Sequence, residues 1–409
     1  MSRPAHDIIV FGATSFVGQI LCRTLLRRFG AEGPPRWAMA GRSQDKLEAL
    51  RESLGKGAAG VPLIVADAAD EPALRAMCGQ ARVIVSTVGP YALYGEPLVK
   101  ACAESGTDYC DLTGEVQWIR RMIERYEDAA KKSGARIVHC CGFDSIPSDL
   151  GVWFLQRESR QRFDAPCTRV KMRVRAMRGG FSGGTVASLM NVVKEVGRDP
   201  SLRKELANPY SLCPKGHPNK TRQPQVKGPA FDEDFDAWTA PFVMGAINTR
   251  IVQRSNALSG LSYGKTFAYD EAVLTGRGLS GRVKAAGMAG GLGGFMVAAA
   301  IKPSRWVLER FVVPKPGEGP TPEQQEKGFF DMRFHGTTEQ GRSLRAKVTG
   351  DRDPGYGSTA KMLCEAAACL AEDLPRDAAG GFWTPSTLMG EALLSRLQQH
   401  AGLEFAVLD

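Results

Sequence analysis

The sequence predicts an α/β protein: a Rossmann-type, doubly wound parallel sheet, followed by a second α+β domain with a mainly antiparallel sheet. Short apolar segments alternate with amphipathic helical segments from residue 8 to about residue 150, which is the pattern of a parallel sheet. A turn with two glycines joins the first strand to the first helix. From residue 168 the pattern changes to a strict alternation of apolar and polar residues, which is typical of a strand with one solvated face.

The opening strand and turn form a candidate dinucleotide-binding motif. Ile8 to Phe11 are four apolar residues, typical of a buried parallel strand. Gly12 permits a tight turn, and Gly18 lets the following helix approach the strand closely, so that the helix N-terminus directs backbone N–H groups at a phosphate. Ser15 replaces the usual middle glycine, so an ordinary strand-to-helix turn is the alternative. The candidate cofactor-binding residues of this motif are Gly12, Thr14, Ser15, Phe16, Val17 and Gly18.

The end of the second strand distinguishes NADP from NAD. This strand, Trp37 to Ala40, is followed by Gly41, Arg42 and Ser43, and no carboxylate occurs before Asp45. An NAD site usually carries Asp or Glu at this place, whereas a 2′-phosphate requires a cation and hydroxyl donors. Arg42 and Ser43 therefore predict NADP(H). The alternative is that Arg42 only begins a surface helix.

Asp67 follows the third strand, Leu63 to Ala66. Its carboxylate either accepts a hydrogen bond from the adenine amine of the cofactor or caps the next helix, since Asp is a preferred N-cap residue. We include Asp67 among the cofactor-binding candidates.

The fourth strand, Val83 to Thr87, ends where the strand order of a doubly wound sheet reverses, and ligands bind in the crevice at that place. Helices are predicted from Gly95 to Ser105 and from Glu115 to Ser133, with a fifth strand around Tyr109 and a sixth from Arg136 to Cys141. The residues expected to line the nicotinamide side of the cofactor are Val88, Gly89, Pro90 and Tyr91.

Candidate proton donors follow the carboxyl ends of the fourth to sixth strands. Tyr91 is the first choice, as a proton donor or as the group that polarises a carbonyl, and Tyr94 and Asp144 are further catalytic candidates. Each has a structural alternative: Asp144 and Ser145 would cap the helix that follows them, and Glu115 would begin its own helix. The five histidines show no metal-ligand spacing, so no metal site is predicted.

The composition predicts a cytoplasmic globular protein. The 409 residues are 43% hydrophobic and 24% charged, and the first strand begins within seven residues without a secretion signal. The ten cysteines are scattered without a C-x-x-C pair, as expected for reduced thiols. The net charge of +9 comes from dispersed residues without a nucleic-acid-reading motif, so no nucleic acid partner is predicted.

Nine segments, spread over nearly the whole chain, carry a resemblance to a known family. They are Gly12 to Gly18, Ala40 to Ser43, Ser86 to Tyr91, Gly106 to Glu115, Gly142 to Asp149, Ala240 to Phe242, Asn248 to Arg250, Gly355 to Thr359 and Gly381 to Pro385. In these segments the chain resembles the saccharopine dehydrogenase-like family, and within it the branch of bacterial trans-acting enoyl reductases. The resemblance implies an NADP-dependent oxidoreductase.

Three functional hypotheses follow. The first is an NADPH-dependent enoyl reductase that acts on an acyl or polyketide-type lipid intermediate, either free or bound to a carrier. The second is a saccharopine-type amino-acid dehydrogenase, in which Arg250 and Arg254 would hold substrate carboxylates. The third is a non-catalytic, lipid-associated scaffold that binds the cofactor, because no unmistakable acid/base pair is present.

Three domains are predicted. Residues 1–150 form the NADP-binding Rossmann domain, and residues 151–350 form an α+β substrate or dimerisation domain. Residues 351–409 carry C-terminal helices, which the resemblance implies return to the Rossmann domain. We expect a homo-oligomer.

The strand Thr168 to Met177 has a basic face formed by Arg169, Lys171, Arg173 and Arg175. We expect this face to be solvated. The alternative is an electropositive wall for an acidic substrate or a phosphopantetheine carrier. The irregular stretch from Asp199 to Ala240 is predicted to be a lid or a mobile insertion.

Ala285 to Ile301 are seventeen residues without a charge, rich in glycine and alanine, followed by an amphipathic run from Trp306 to Val313. This segment is at the lower length limit of a membrane span, and its glycine content makes it weakly hydrophobic, so no membrane span is predicted. We expect a buried, flexible segment. The alternative is an apolar surface that touches lipid or a lipid-like substrate and gives the protein peripheral membrane contact.

Overall fold

The computed structural model describes residues 4–179, 183–311, 319–375 and 377–408. They form two seven-stranded sheets, one parallel and one mainly antiparallel, which confirms the predicted fold class. The predicted domain boundaries stay a prediction. One sequence expectation extends outside the described residues: the amphipathic run that begins at Trp306 includes Val312 and Val313, which are not described.

The first sheet is parallel throughout and has the strand order β3-β2-β1-β4-β5-β6-β13. Ala40, Phe11, Ser86 and Asp111 lie in one row across four strands, so the loops after these strands leave the sheet at the same edge. We call it the carboxyl edge. The strands are β1 (His6–Phe11), β2 (Trp37–Gly41), β3 (Leu63–Val65), β4 (Ala81–Ser86), β5 (Asp108–Asp111), β6 (Arg136–Val138) and β13 (Gly381–Trp383).

Six of these strands were expected, and the seventh was not. β13 comes from the C-terminal part of the chain and pairs in parallel with β6, opposite Arg136 to Val138. The helices that connect strands β1 to β6 are α1 (Phe16–Phe29), α2 (Gln44–Ser53), α3 (Glu71–Cys78), α4 (Tyr91–Tyr94), α5 (Glu96–Ser105) and α6 (Val116–Ser133).

The core of this sheet explains its apolar strands. Ile8, Ile9 and Val10 are completely buried, because helices cover both faces of a parallel sheet. Each such side chain contributes roughly 1.5–3 kcal/mol relative to an exposed position.

The second sheet has the order β14-β12-β11-β7-β10-β9-β8. Its central strand β7 pairs antiparallel with β11 but parallel with β10, so the sheet is mixed. The strands are β7 (Cys167–Arg178), β8 (Ala230–Asp232), β9 (Ala237–Pro241), β10 (Ala268–Gly276), β11 (Phe329–Thr338), β12 (Ser343–Gly350) and β14 (Leu403–Leu408).

Helices accompany the second sheet and connect it to the first. α14 packs against α1 and against strands β1, β4 and β5, while α7 packs against β12 and α15. The helices are α7 (Ile146–Phe163), α8 (Gly183–Arg198), α9 (Leu202–Ala207), α10 (Gly245–Leu258), α11 (Gly278–Ala300), α12 (Lys302–Phe311), α13 (Pro322–Glu326), α14 (Thr359–Glu372) and α15 (Pro385–His400).

Most of the basic face of β7 is not the solvated surface that we expected; of its four cations only Arg175 is exposed, and it lies 3.2 Å from Asp331. Arg173 is only 3% exposed and lies 2.7 Å from Asp232 and 2.9 Å from Asp270. Lys171 also binds Asp232, at 3.0 Å, and Arg169 pairs with Asp270. The carboxylates come from β8 and β10, and the alternation within β7 contains no information about them. Because each cation is paired, this face is also not an electropositive wall.

Two further expectations about the middle of the chain need correction. The Asp199 to Ala240 stretch is not irregular throughout, because it contains α9, β8 and most of β9. Ala285 to Ile301 is not a buried segment: nearly all of it belongs to α11, whose outer side is exposed. α11 has 23 residues, and among the described residues it is the one helix long and apolar enough to cross a membrane. It packs against β9, β10 and α8.

Candidate cofactor and active site

The turn after β1 requires glycine at two positions. Gly12 has φ +85°, and a Cβ there would lie 2.7 Å from Val88 Cγ2 and 2.8 Å from Thr87 Oγ1. A Cβ on Gly18 would lie 2.2 Å from the carbonyl oxygen of Gly12. The first turn of α1 can therefore press against the end of β1 only with these two glycines in place.

Ser15 replaces the middle glycine because it caps α1. Its hydroxyl accepts a hydrogen bond from the backbone N–H of Gly18 at 2.9 Å and lies 2.9 Å from the hydroxyl of Thr87. Thr87 in turn donates to the carbonyl of Gly12 at 2.9 Å. The backbone N–H groups of Phe16 and Val17 have no acceptor within α1, as in the first turn of any helix. The turn thus presents two amides and the positive end of the helix dipole to an anion.

Arg42 and Ser43 lie at the end of β2, beside this turn. Arg42 is exposed and makes no ion pair with any residue that the structure describes. Ser43 caps α2 by accepting a hydrogen bond from the Lys46 amide at 3.4 Å, so its own hydroxyl proton remains available to a ligand. Thr14 is close to the residue before them, since a Cβ on Gly41 would lie 3.9 Å from its hydroxyl.

Asp67 does not cap the helix that follows it. Its carboxylate accepts a hydrogen bond from the Ala69 amide at 2.9 Å, whereas Asp70 caps α3 by accepting from Ala73 at 3.0 Å. The capping alternative for Asp67 is wrong. The side chain is exposed at the end of the β3 segment, and its contact with adenine stays a prediction.

These groups fit NADP(H). The amides of Phe16 and Val17 suit the pyrophosphate, and the planar guanidinium of Arg42 offers five donors for a 2′-phosphate. The end of β2 carries no carboxylate that would repel that phosphate. When bound, the cofactor supplies or accepts a hydride.

Tyr91 lies at the centre of the carboxyl edge but is held by the backbone. Its hydroxyl donates to the carbonyl of Ser86 at 2.9 Å and accepts from the amide of Leu112 at 3.2 Å. Burial, and next the negative charge of Asp111, hold the pKa of Tyr91 well above its usual value. The hydroxyl thus ties the end of β4 to the end of β5. The role of Tyr91 as a proton donor stays a prediction. The raised pKa argues against it, because it makes the hydroxyl a weaker acid.

Glu115 has a part that the sequence did not reveal. Its buried carboxylate accepts from the amides of Tyr91 and Ala92 at 2.8 and 3.0 Å, and from the hydroxyl of Ser188 at 2.8 Å. Burial raises its pKa. Glu115 precedes α6 but does not cap it with its side chain. It fixes the start of α4 and joins α8 to the carboxyl edge.

The loop after β4 therefore has a rigid start and an exposed end. Val88 and Pro90 are half-buried, Gly89 is exposed, and the side chain of Tyr94 at the end of α4 is 49% exposed. Tyr94 lies on the outer side of the same edge.

Asp144 is the free carboxyl group of this edge. It lies in the loop after β6, is half-buried, and makes no hydrogen bond or ion pair with the described residues. A Cβ on Gly114 would lie 3.6 Å from its Oδ2 and 3.9 Å from both Met244 and Ile247. Burial without a compensating charge raises the pKa of Asp144 to about 7. Asp144 does not cap α7, and Ser145 makes no capping bond either.

Segments from the second half of the chain border the edge, and the sequence did not identify them as part of the site. Met244 and Ile247, at the start of α10, supply apolar contacts beside Gly114. Phe143 donates its amide to the hydroxyl of Thr359 at 3.0 Å, and Tyr356 stacks edge-on against Phe16 with 4.8 Å between ring centroids. These contacts cross more than 100 residues of sequence, so no local pattern signals them.

Arg250 and Arg254 do not form the expected substrate clamp. Both are buried in α10 and donate to backbone carbonyls: Arg250 to Ala246 and Leu206, Arg254 to Leu212 and Phe382. Burial lowers the pKa of Arg250 to about 10. The feature that supported an amino-acid substrate is thus a structural one.

The described residues include no candidate metal site. They do line a cavity, but it lies away from the carboxyl edge. No group of three or more His, Cys, Asp or Glu side chains among them is placed to hold a metal ion. A cavity of about 620 Å³ lies between α1, α14 and α15. Its Arg396 is already paired with Glu372 and Asp373, so we assign it no part in the chemistry.

Several known proteins are similar to this chain in sequence. Residues 8–138 match the family described as the saccharopine dehydrogenase NADP-binding domain. A Mycobacterium tuberculosis protein, provisionally named a trans-acting enoyl reductase, is 42% identical over 403 residues, which cover 96% of this chain and 95% of that protein. The chain belongs to the family of trans-acting enoyl reductases. A trans-acting enoyl reductase of Mycobacterium ulcerans is 39% identical over 405 residues, covering 96% of each chain.

A solved structure supports the fold. Apo saccharopine dehydrogenase (L-Glu forming) from Saccharomyces cerevisiae is similar with a TM-score of 0.55 and 12% identity, covering 99% of this chain and 100% of that one. The family confirms two predictions: the protein is an NADP-dependent oxidoreductase, and its cofactor is NADP(H).

Proposed function

We propose that this oxidoreductase is an NADPH-dependent enoyl reductase that acts on an α,β-unsaturated acyl or polyketide-type lipid intermediate bound to a carrier. The names of its relatives support the reaction class. The observation that carries the proposal is Asp144, a half-buried carboxyl group after β6 that makes no hydrogen bond or ion pair with the described residues; burial raises its pKa to about 7.

The reaction requires a hydride at one carbon of the double bond and a proton at the other. Asp144 supplies the proton, since about half of a carboxyl population with this pKa is protonated at neutral pH. Its partial exposure lets it recover a proton from water after each turnover. The carbon–carbon double bond is reduced to a single bond, and NADPH is oxidised to NADP⁺.

The surrounding residues bind and orient the reactants. Met244 and Ile247 present an apolar surface that suits an acyl chain and keeps water from one side of Asp144. Tyr91 and Glu115 fix the loop beside the nicotinamide through the ends of β4 and β5. Leu93 and Tyr94 are exposed on α4, beside the loop after β4, where they suit contact with a carrier.

The experiment replaces Asp144 with Asn and follows NADPH oxidation with an enoyl thioester. We expect kcat to fall about 100-fold, because general acid catalysis contributes at least that much, while the dissociation constant of NADPH stays the same. Asp128→Asn, at an exposed position on α6, is the matched control and should keep the full rate. An Asp144→Asn variant with unchanged kcat would show that the proton comes from another group.

The two other hypotheses are tested in the same assay. Turnover of saccharopine with NADP⁺, together with silence towards every enoyl thioester, would identify an amino-acid dehydrogenase. Silence towards all substrates with tight NADPH binding would identify a scaffold. A lower KM for the carrier-bound thioester than for the coenzyme A thioester would support the carrier.

A further inference from the structure

Helix α11 has an apolar face that the described part of the chain leaves uncovered. Its inner face packs on the second sheet through residues spaced three or four apart, of which Ala285 and Ala299 are completely buried. Its outer face carries Leu279, Val283 and Val297, which are 76%, 63% and 61% exposed. Side chains of this size rarely cluster on a free surface without a binding role.

Helix α12 extends the same surface. Ile301, between the two helices, is 53% exposed, and Trp306 in the next turn is 62% exposed. Tryptophan is enriched where an apolar phase meets water, because its ring is apolar and its N–H is polar. We call residues 278–307 the α11–α12 surface.

Within the segment that forms this surface, the charged residues all have one sign. From Ala272 to Leu308 the chain contains no Asp or Glu. Arg282 and Lys284 lie at one end of the charge-free segment, and Lys302 and Arg305 lie at the other. None of these four forms an ion pair with a described residue; Arg282 lies over the ring of Trp238 instead. The surface is thus apolar along its length and cationic at both ends.

These charges decide between two occupants. Glycines at 287, 290, 291 and 294 would have open space around a Cβ, so a helix of a second copy could approach closely. In a two-fold contact, however, the basic ends of one α11 would meet the basic ends of its partner without a carboxylate between residues 272 and 308 to pair with them. An anionic lipid surface satisfies both the apolar face and the cations.

We propose that the α11–α12 surface docks the protein on a bilayer with anionic headgroups, with α11 parallel to the membrane plane. The packing of α11 along β9, β10 and α8 fits this orientation and not a span. α8 links the surface to the active site, because its Ser188 binds Glu115 at the carboxyl edge. Docking would place the protein at the bilayer, where it would meet a lipid-like substrate. The docking itself does not depend on the reductase activity.

The test is sedimentation of the full chain with vesicles, either of phosphatidylcholine alone or of phosphatidylcholine mixed with phosphatidylglycerol. We expect binding to the anionic vesicles and little binding to the neutral ones. Lys284→Gln combined with Lys302→Gln should weaken binding about 30-fold, since each cation contributes about fivefold at an anionic surface. Lys56→Gln, an exposed lysine beyond α2, is the control and should bind normally.

A second pair of variants tests the apolar face. Val297→Asp should weaken vesicle binding roughly tenfold or more, because a carboxylate would enter the apolar boundary of an anionic surface. Val65→Asp, 53% exposed on β3, places the same change on another face and should bind as the unaltered protein does. NADPH binding by fluorescence shows that each variant is folded, and it stays measurable even if no enoyl substrate is turned over.

Two results would overturn the proposal. Equal binding to neutral and anionic vesicles, or none to either, would remove the part played by the cations. A dimer in light scattering without lipid, converted to a monomer by Val297→Asp, would show that a second copy covers the α11–α12 surface.

Discussion

The carboxyl edge of the first sheet and the basic face of β7 in the second sheet both concentrate charged groups, but they use them differently. At the edge, Arg42 and Asp144 make no ion pair with a described residue. On β7, Arg173 lies between Asp232 and Asp270 and is buried with them. An ionic group that the fold leaves without a partner is available to a ligand, whereas one that the fold has paired stabilises the protein. The number of charges in a segment therefore says little about binding.

The largest expected effect tests the paired face. Asp270→Ala removes a buried partner of Arg169 and Arg173 and leaves cationic charge uncompensated. We expect the free energy of unfolding to fall by about 3–5 kcal/mol, measured by urea denaturation. Glu404→Ala, which removes the half-exposed partner of Lys347 in the same sheet, should cost less than about 1 kcal/mol. Equal losses in the two variants would show that the buried ion pairs of β7 stabilise the protein no more than an exposed pair does.

The next effect concerns the unpaired carboxyl group. Asp144 must be protonated to act as an acid, so kcat/KM should be constant below about pH 7 and fall about tenfold per pH unit above it. The folded pKa lies above the unfolded one, so ionisation of Asp144 also lowers the stability as the pH rises from about 4 through about 7. The pH profile of the residual activity of Asp144→Asn should lack this descending limb; a limb that persists in the variant belongs to another group.

A smaller effect is expected at Arg42. Arg42→Ala should weaken NADPH binding about 10- to 100-fold, the range of a hydrogen-bonded charge pair, and leave NADH binding nearly unchanged. Fluorescence titration of both nucleotides measures the difference. Equal losses for the two nucleotides would show that Arg42 does not bind the 2′-phosphate.

The smallest effect tests the cap of α1. Ser15→Ala removes the acceptor for the Gly18 amide and should cost about 1 kcal/mol of stability. Because Ser15 also contacts Thr87, the position of the turn should loosen, and NADPH and NADH should lose affinity to the same degree. Thermal denaturation and nucleotide titration of Ser15→Ala, with Ser53→Ala at the end of α2 as the control, would show this pattern.

The first sheet could be predicted from the sequence because its signals are local. Strands β1 to β6 are short apolar segments, each followed by a helix, and the turn at Gly12 carries its own steric reason. β8, β9, β13 and β14 were missed; β8 and most of β9 lie in the stretch that was expected to be irregular, and the other two lie near the C-terminus. β13 and β14 are edge strands whose pairing depends on β6 and β12, which precede them by many residues.

The candidate site could be predicted only in part, because several of its contacts join residues that are distant in sequence. Arg42 is predicted as a phosphate ligand from its residue type and position alone. Asp144 was recognised by its place after β6, but burial raises its pKa, and Met244 and Ile247, which border Gly114 as Asp144 does, are about 100 residues away in sequence. The part played by Glu115 required Ser188 of α8, and the exposure of α11 depends on what the rest of the chain fails to cover.

The late position of β13 and β14 in the chain has a consequence for how the protein is made. β13 pairs with β6, yet roughly 240 residues separate them, so a ribosome working at roughly 5–20 residues per second takes roughly 12–50 s between them. During this time the backbone of β6 is an open edge on an otherwise ordered nascent sheet, and β12 waits similarly for β14. Both sheets are therefore finished by the same stretch, residues 381–408, late in translation. Protection of these edges by a chaperone would matter more for the yield of this protein than for its final stability.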